Sequence, residues 1–292
     1  MQKIKKAIFP VAGFGTRFLP ATKAQPKEML PVVDKPVIQY LVESAVAAGI
    51  EEIIFVTGRG KRAIEDHFDY SYELSKTLVE KNKLDLIKKV QAIESLAKFS
   101  YVRQPIPLGD GHAVLCAAHL IEPGESVLVM FGDTLYDAPI SPVTQVMEAY
   151  EKYGDTVIGL SEVDKKDVSQ FGVMGGIDLG DGVYEVKQFV EKPAAADAPS
   201  NLVQVGINII TPDIIDILSH MEKGKSGEIR LADAYDEMLK QNKPIYGKKI
   251  EGEWLDTGNK FNFIKATIKF GLKDKEIGKD LAQFLKDLQA KL

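Results

Sequence analysis

Short apolar runs alternate along the chain with longer stretches in which apolar residues recur at helical spacing. Two runs, residues 6–11 and 51–58, are rich in residues that favour strands and predict buried β-strands. Between them, the residues of one helix face are apolar: Ile38, Leu41, Val42 and Ala45. We expect this helix to carry Pro36 in its first turn, Asp34 as a cap and Gly49 at its end. Such a strand–helix–strand unit favours a parallel sheet with a right-handed crossover.

The same alternation continues through the rest of the chain. Further strands are predicted over residues 99–104, 125–133, 156–163, 201–211 and 245–250. Further helices are predicted over residues 111–121, 143–153, 212–220, 229–241 and 259–292. The mostly charged residues 60–98 predict an insertion of two or three helices, and the Gly-Asp-Gly turn at 180–182 predicts a hairpin.

These elements predict one α/β domain over residues 1–272, followed by a C-terminal helix over 273–292. Its central sheet is expected to be mixed and mostly parallel, flanked by helices, with a small β-rich part in the second half. The C-terminal helix has apolar residues on one face: Leu281, Phe284, Leu285 and Leu288. This stripe either packs on its own domain or contacts another subunit.

Composition narrows the class of protein. The 292 residues include 37 Lys and Arg against 42 Asp and Glu, and a net charge of −5 argues against a general nucleic-acid binder. The single cysteine, Cys116, excludes an internal disulfide, suits the cytoplasm and is expected as a buried core thiol. No apolar run approaches the roughly 20 residues of a membrane span. The first 30 residues carry six Lys or Arg and one acidic residue, and this local positive charge suits a small anionic ligand.

The loop after the first predicted strand has the composition of a phosphate site. Gly13 and Gly15 allow backbone amides to approach a phosphate and are nucleotide-binding candidates, while Arg17 and Lys27 add positive charge. Phe18 stands where a dinucleotide fingerprint has its third glycine, and no G-K-[ST] of a P-loop is present. The alternative is an ordinary turn with solvated basic residues.

Two aspartates are candidates for a metal site. Asp133 ends a predicted strand, where open α/β sheets bind ligands, and Mg²⁺ binds through one or two carboxylates plus substrate phosphates. Asp256, in WLDTGN, is the second candidate. For each aspartate the alternative is a structural role, capping the turn or helix that follows.

Glu191 and Lys192 end another predicted strand, just before Pro193. Both side chains could reach one ligand there, and a solvated pair before a turn is the alternative. The four histidines have no metal-ligand spacing and support no Ser–His–Asp or Cys–His arrangement: His67, His112, His119 and His220.

Nine stretches of this sequence follow the order found in one enzyme family. They are GFGTRFLPATKAQPKEMLPVVDKPVIQY, VRQ, LGDGHAVLCA, GD, FGV, VEKP, APSNLVQVGINIIT, GEIRLADAYDEML and WLDTGN. The chain resembles the bacterial UTP–glucose-1-phosphate uridylyltransferases over about residues 4–271, and GTRFLPATKAQPKEMLP is specific for this branch of the sugar nucleotidyltransferases. The resemblance implies a Rossmann-like nucleotidyltransferase fold. It also implies that UTP and α-D-glucose 1-phosphate give UDP-glucose and pyrophosphate with Mg²⁺.

The resemblance also implies roles for individual residues, carried over by position. The nucleotide would contact Ala12, Gly13, Gln104 and Gly109. The triphosphate would contact Arg17 and Lys27, and the metal would lie at Asp133 and Asp256. The sugar would contact Gly172, Glu191 and Gly206, with Lys192 on its phosphate. The catalytic candidates are Arg17, Lys27, Asp133 and Lys192.

Alternatives within this resemblance are an enzyme that uses dTTP or another hexose 1-phosphate, and a non-catalytic regulator that binds nucleotide sugars. Retention of the charged candidates argues against the regulator. A related metal-dependent glycosyltransferase would carry a D-x-D motif, and GDTLYD does not provide one. The expected partners are UTP, glucose 1-phosphate and a second copy of the chain, as a dimer or tetramer, without nucleic acid or membrane.

Overall fold

The structure is a computed structural model, and it describes residues 3–224 and 227–291. Its strands are β1 (Lys6–Pro10), β2 (Pro31–Val32), β3 (Lys35–Pro36), β4 (Glu52–Thr57), β5 (Lys98–Arg103), β6 (Val127–Met130), β7 (Thr134–Asp137), β8 (Thr156–Glu162), β9 (Gly172–Gly180), β10 (Val183–Glu191), β11 (Leu202–Ile210), β12 (Ile245–Lys249) and β13 (Glu253–Asp256). Its α-helices are α1 (Val37–Ala47), α2 (Arg62–Phe68), α3 (Tyr72–Glu80), α4 (Leu84–Glu94), α5 (Asp110–Ala117), α6 (Pro142–Tyr153), α7 (Pro212–His220), α8 (Leu231–Lys240), α9 (Lys260–Lys273) and α10 (Gly278–Gln289).

Nine of these strands form the central sheet, in the order β5–β4–β1–β6–β11–β8–β12–β10–β9. Their pairings make seven strands run in one direction, while β10 and β11 run in the other. The predicted mixed, mostly parallel α/β sheet is therefore confirmed. The predicted hairpin is confirmed as well, since β9 and β10 are antiparallel neighbours joined at the Gly-Asp-Gly turn.

Helices cover both faces of the sheet because its central strands are apolar on both sides. In β1, Phe9 packs in a cluster with α1 and α6, and Ile8 packs in a second cluster with α5, α7 and α8. All four residues of β6 are buried. Continuous apolar runs are typical of such parallel strands, so the sequence pattern follows directly from the two-sided burial.

The predicted insertion at residues 60–98 contains three helices, α2, α3 and α4. They connect β4 to β5, which are neighbouring parallel strands of the sheet. These helices are therefore the crossover connection that parallel strands need. The division of the chain at residue 272 stays a prediction, and residues 1, 2, 225, 226 and 292 of the predicted segments lie outside the described residues.

Some predicted boundaries were wrong. Pro36 precedes the first turn of α1, and Asp34 provides no cap, because β2 and β3 form a tight hairpin there and Pro36 is extended. The strand predicted to Asp133 ends at Met130, because the chain then turns into β7, which pairs with β13 outside the main sheet. The sequence pattern did not predict β7 or β13.

Two further predictions in helical regions need correction. The helix predicted over residues 111–121 ends at Ala117 and continues as a 3₁₀ turn. The C-terminal helical region is interrupted, because α9 ends at Lys273 and the Asp274 side chain stabilises a turn by accepting hydrogen bonds from the amides of Glu276 and Ile277 before α10 begins at Gly278. Cys116 is half-buried rather than fully buried. Across the described ranges, we find no helix with both the length and the apolar character that a membrane crossing requires.

Candidate active site

Three adjacent parallel strands deliver the site residues to one edge of the sheet. β1 lies between β4 and β6, and all three end at the same edge. The opening loop follows β1, and the segment from Phe131 to Asp133 follows β6. Ligands bind beyond the carboxyl ends of strands in such sheets, so the fold itself places both segments at a binding crevice.

The opening loop folds back on itself through three short 3₁₀ turns, over Thr16–Phe18, Ala21–Lys23 and Lys27–Met29. Gly15 has a φ of 65°, a left-handed conformation that favours glycine, and the Thr22 hydroxyl donates a 2.7 Å hydrogen bond to its carbonyl. Gly15 is not among the residues that line the cleft described below. Its place is inside the loop, where it directs the chain towards Lys27.

Four of the charged candidates converge at the sheet edge. Lys27 Nζ lies 2.5 Å from Asp133 Oδ2. A side-chain carbon on Gly258 would lie 2.6 Å from Asp133 Oδ2, 2.9 Å from Asp256 Oδ1 and 3.2 Å from an Arg17 guanidinium nitrogen. Gly258 therefore marks the point where both aspartates and the arginine meet.

The pairing of β7 with β13 explains why two aspartates so distant in sequence lie together. Asp256, the last residue of β13, is opposite Thr134, and the Thr257 amide and hydroxyl both donate to the Asp133 carbonyl. Asn259, not Asp256, caps α9, because its side chain accepts from two amides of the first turn. The Asp256 carboxylate instead accepts a 2.9 Å hydrogen bond from the Gly258 amide.

The two carboxylates have opposite pKa shifts. Burial alone would raise the pKa of Asp133, but the charges of Lys27 and Arg17 overcome it and hold that pKa below its ordinary value. Burial, followed by the negative charge of Asp133, raises the pKa of Asp256. Burial would lower the pKa of Lys27, yet its carboxylate neighbours raise it. Asp133 is thus ionised at neutral pH and is matched by a fixed positive charge.

A cleft of about 480 Å³ extends from this charge cluster towards α5 and the segment after β5. Its lining includes four predicted nucleotide-binding residues: Ala12, Gly13, Gln104 and Gly109. Gln104 is buried, and its Nε2 donates a 2.9 Å hydrogen bond to the Gly109 carbonyl and lies 2.9 Å from His112 Nδ1. Lys27 and Asp133 also line this cleft, so the charge cluster forms one end of it.

A second pocket, of about 260 Å³, lies on the other side of Asp133. Its lining includes all the predicted sugar-binding residues: Gly172, Glu191, Lys192 and Gly206. Arg17 and Asp256 line it as well, and Asp133 lines both this pocket and the cleft. The predicted nucleotide and sugar sites therefore share a boundary at Asp133.

Lys192 lies at the mouth of the second pocket in an unusual backbone conformation. Its φ is 49°, its amide donates to the Phe171 carbonyl, and its Nζ lies 3.4 Å from Glu191 Oε1. Glu191 ends β10 and Lys192 follows it, so the two side chains leave the strand end together. The Lys192 side chain is more than half exposed.

The sequence reasoning missed three charged residues at the site. Asp110 lines both pockets, is half-buried, and accepts hydrogen bonds from the Gly111 and Leu231 amides; burial raises its pKa. Glu28 and Lys61 form a buried ion pair beside Lys27. Glu28 directly follows Lys27, but nothing in the sequence indicates that its partner is Lys61, 33 residues away.

Comparison with known proteins agrees with this geometry. The family model described as nucleotidyl transferase matches residues 6–271. UTP–glucose-1-phosphate uridylyltransferase 2 of Staphylococcus saprophyticus is 48% identical to this chain over 99% of both chains. The UTP–glucose-1-phosphate uridylyltransferase of Bacillus subtilis strain 168 is 46% identical over 99% of this chain and 98% of that one.

Solved structures lead to the same group. A UDP-glucose pyrophosphorylase complexed with UDP-glucose is 43% identical, with a TM-score of 0.85 over 93% of this chain and 100% of that one. A UTP-bound enzyme of the same kind from Acinetobacter baumannii is 36% identical, with a TM-score of 0.91 over 98% of this chain and 100% of that one. The chain belongs to the nucleotidyltransferase family, in the branch of the UTP–glucose-1-phosphate uridylyltransferases.

Proposed function

We propose that this protein forms UDP-glucose and pyrophosphate from UTP and α-D-glucose 1-phosphate. The observation that carries this proposal is the meeting of Arg17, Lys27, Asp133 and Asp256 at the boundary between a nucleotide-sized cleft and a smaller polar pocket. Relatives named for this reaction, at 46–48% identity over nearly the whole chain, support it.

The reaction needs no nucleophile from the protein. An oxygen of the sugar phosphate is already anionic; it attacks the α-phosphorus of UTP, the bond from that phosphorus to the bridging oxygen breaks, and pyrophosphate leaves with the electron pair. Catalysis therefore rests on bringing two polyanions together in line and stabilising their charge. This chemistry agrees with the absence of a histidine role in the predicted site.

The residues divide between the two substrates. Gln104, Gly109, Ala12 and Gly13 hold the nucleotide in the cleft, and Arg17 and Lys27 stabilise the phosphates that depart. Lys192 holds the attacking phosphate, and the sugar lies against Gly172, Glu191 and Gly206. Gly15 contributes through its left-handed backbone conformation, which shapes the loop that carries Arg17 and Lys27.

The donor set at the boundary fits Mg²⁺. No cluster of three or more His, Cys, Asp or Glu side chains suited to a metal occurs within residues 3–224 and 227–291, but the two carboxylates of Asp133 and Asp256 converge. Two hard oxygen ligands completed by substrate phosphates are what Mg²⁺ prefers. Bound there, Mg²⁺ would offset the negative charge on the nucleotide phosphates. Asp133, held ionised by Lys27, is the principal ligand in this proposal.

Self-association is proposed through the C-terminal helix. Leu281 packs close to Gly271 of α9, but Phe284 is 59% exposed and Leu288 is 43% exposed. An amphipathic helix that leaves such side chains in water is typical of an unfilled contact surface. We propose a dimer or tetramer that covers this face. The cytoplasm stays the predicted location, since a chain with the single cysteine Cys116 suits a reducing compartment.

The proposed reaction is tested by pyrophosphate release from UTP and glucose 1-phosphate, with and without Mg²⁺. We expect Mg²⁺-dependent turnover, with UTP preferred over dTTP and glucose 1-phosphate preferred over other hexose 1-phosphates. Absence of turnover with this pair, or a clear preference for dTTP, would overturn the proposed function.

Lys192→Ala is expected to lower kcat by about 100-fold or more, because one charge-assisted donor to the reacting phosphate is lost. The measurement is steady-state kinetics on protein whose circular dichroism and Tm match the wild type. Lys187→Ala, on the same strand and with an exposed lysine, is the matched control and should keep wild-type turnover. Near-native kcat in folded Lys192→Ala would remove Lys192 from the mechanism.

Phe284→Ser is expected to shift the protein to a smaller assembly in sedimentation velocity, because it removes the most exposed side chain of the α10 stripe. Gln283→Ser, at an exposed polar position of the same helix, should keep the wild-type mass. A Phe284→Ser protein with the wild-type mass would contradict the assignment of this face as the contact.

A further inference from the structure

One ion pair beside the site is buried far more deeply than the others in the described part of the chain. Lys61 Nζ lies 2.7 Å from Glu28 Oε2, and the two side chains are 5% and 1% exposed. Burial lowers the pKa of Lys61 even though Glu28 opposes this shift. Neither side chain lines the cleft or the second pocket. The pair therefore lies outside both pockets, and any effect on the substrates has to act through other residues.

The pair connects the loops that follow β1, β4 and β6. Glu28 is the residue after Lys27 in the 3₁₀ turn Lys27–Met29, and Lys61 immediately precedes α2, after β4. A side-chain carbon on Gly132 would lie 2.7 Å from Glu28 Cγ, so the Glu28 side chain passes directly against the residue before Asp133. The ion pair thus joins the loops after β1 and β4, and the Glu28 side chain packs against the segment after β6.

The pair also adds two charges to the cluster at the site, so that positive and negative side chains alternate. Lys61, Glu28, Lys27 and Asp133 alternate in sign, and both Glu28 and Asp133 raise the pKa of Lys27 against the effect of its burial. A buried ion pair contributes little net stability, because desolvation offsets the attraction, and replacing both partners with neutral residues is often tolerated. Stability alone therefore gives no strong reason to bury this pair here.

We propose that Glu28 and Lys61 are positioning residues that hold Lys27 and Asp133 in place for the nucleotide triphosphate. This inference rests on the proposed function. Lys27 lines the nucleotide cleft and not the second pocket, whereas Lys192 lines only the second pocket. Because Glu28 is adjacent to Lys27 in the chain, the pair acts more strongly on UTP binding than on glucose 1-phosphate binding.

The test uses the full-length double variant Glu28→Gln/Lys61→Met, which removes both charges and leaves neither partner buried alone. We expect a folded protein whose Kd for UTP in Mg²⁺, measured by calorimetry, rises about tenfold or more, since small displacements of charged groups weaken such sites strongly. The KM for glucose 1-phosphate at saturating UTP should change by less than about threefold. A general structural defect would not separate the two substrates in this way.

The matched control is Lys6→Met/Glu125→Gln, which removes another partly buried ion pair, at the opposite end of β1. It should leave both constants unchanged. If the first variant does not fold, Glu28→Gln/Lys61→Gln replaces it, and the same change in the Kd for UTP is expected. Failure of both variants to fold would overturn the inference, because the pair would then be needed for folding. An unchanged Kd for UTP would overturn it too. A wild type inactive with UTP and glucose 1-phosphate would instead refute the proposed function.

Discussion

The contact between Lys27 and Asp133 is the interaction on which the rest of this site depends. It joins the loop after β1 to the end of β6, and it keeps Asp133 ionised in a buried position where burial alone would favour the neutral acid. The cleft and the second pocket meet at this carboxylate. An enzyme that brings two polyanions together needs charges that are fixed before the substrates arrive, and parallel strands ending at one edge provide that rigidity.

The predicted nucleotide and sugar sites meet at Asp133 but are formed by different parts of the sheet. The predicted nucleotide contacts lie in the segments after β1 and β5 and near the start of α5, whereas the predicted sugar contacts lie in β9, β10 and β11 and just after β10. The predicted sugar site is thus formed by antiparallel strands in the second half of the chain, and the predicted nucleotide site by the parallel half. Asp256 reaches the boundary only because β13 pairs with β7, outside the main sheet.

Much of this arrangement could be predicted from the sequence, because it follows the course of the chain. The glycines and basic residues after β1, Asp133 after β6 and Lys192 after β10 all occur where apolar strand patterns end, and the edge of a sheet collects such residues. The pairing of Glu28 with Lys61 and the burial of Asp110 depend on tertiary contacts that leave no periodic pattern. The strands β7 and β13 are four residues each, too short for alternation to distinguish them from loops. The nucleotide-binding role of Gly15 stays a prediction, because a glycine needed for a turn has the same sequence appearance as one that approaches a phosphate.

In the proposed mechanism, the ionised Asp133 couples Mg²⁺ to the binding of UTP. The direct measurement is the Kd for UTP as a function of Mg²⁺ concentration in wild type, in Asp133→Asn, and in Asp137→Asn, whose carboxylate on β7 pairs with Lys273 away from the site. We expect Mg²⁺ to tighten UTP binding in the wild type and in Asp137→Asn and to have little effect in Asp133→Asn. An unchanged dependence on Mg²⁺ in a folded Asp133→Asn protein would show that Asp133 does not couple Mg²⁺ to UTP binding.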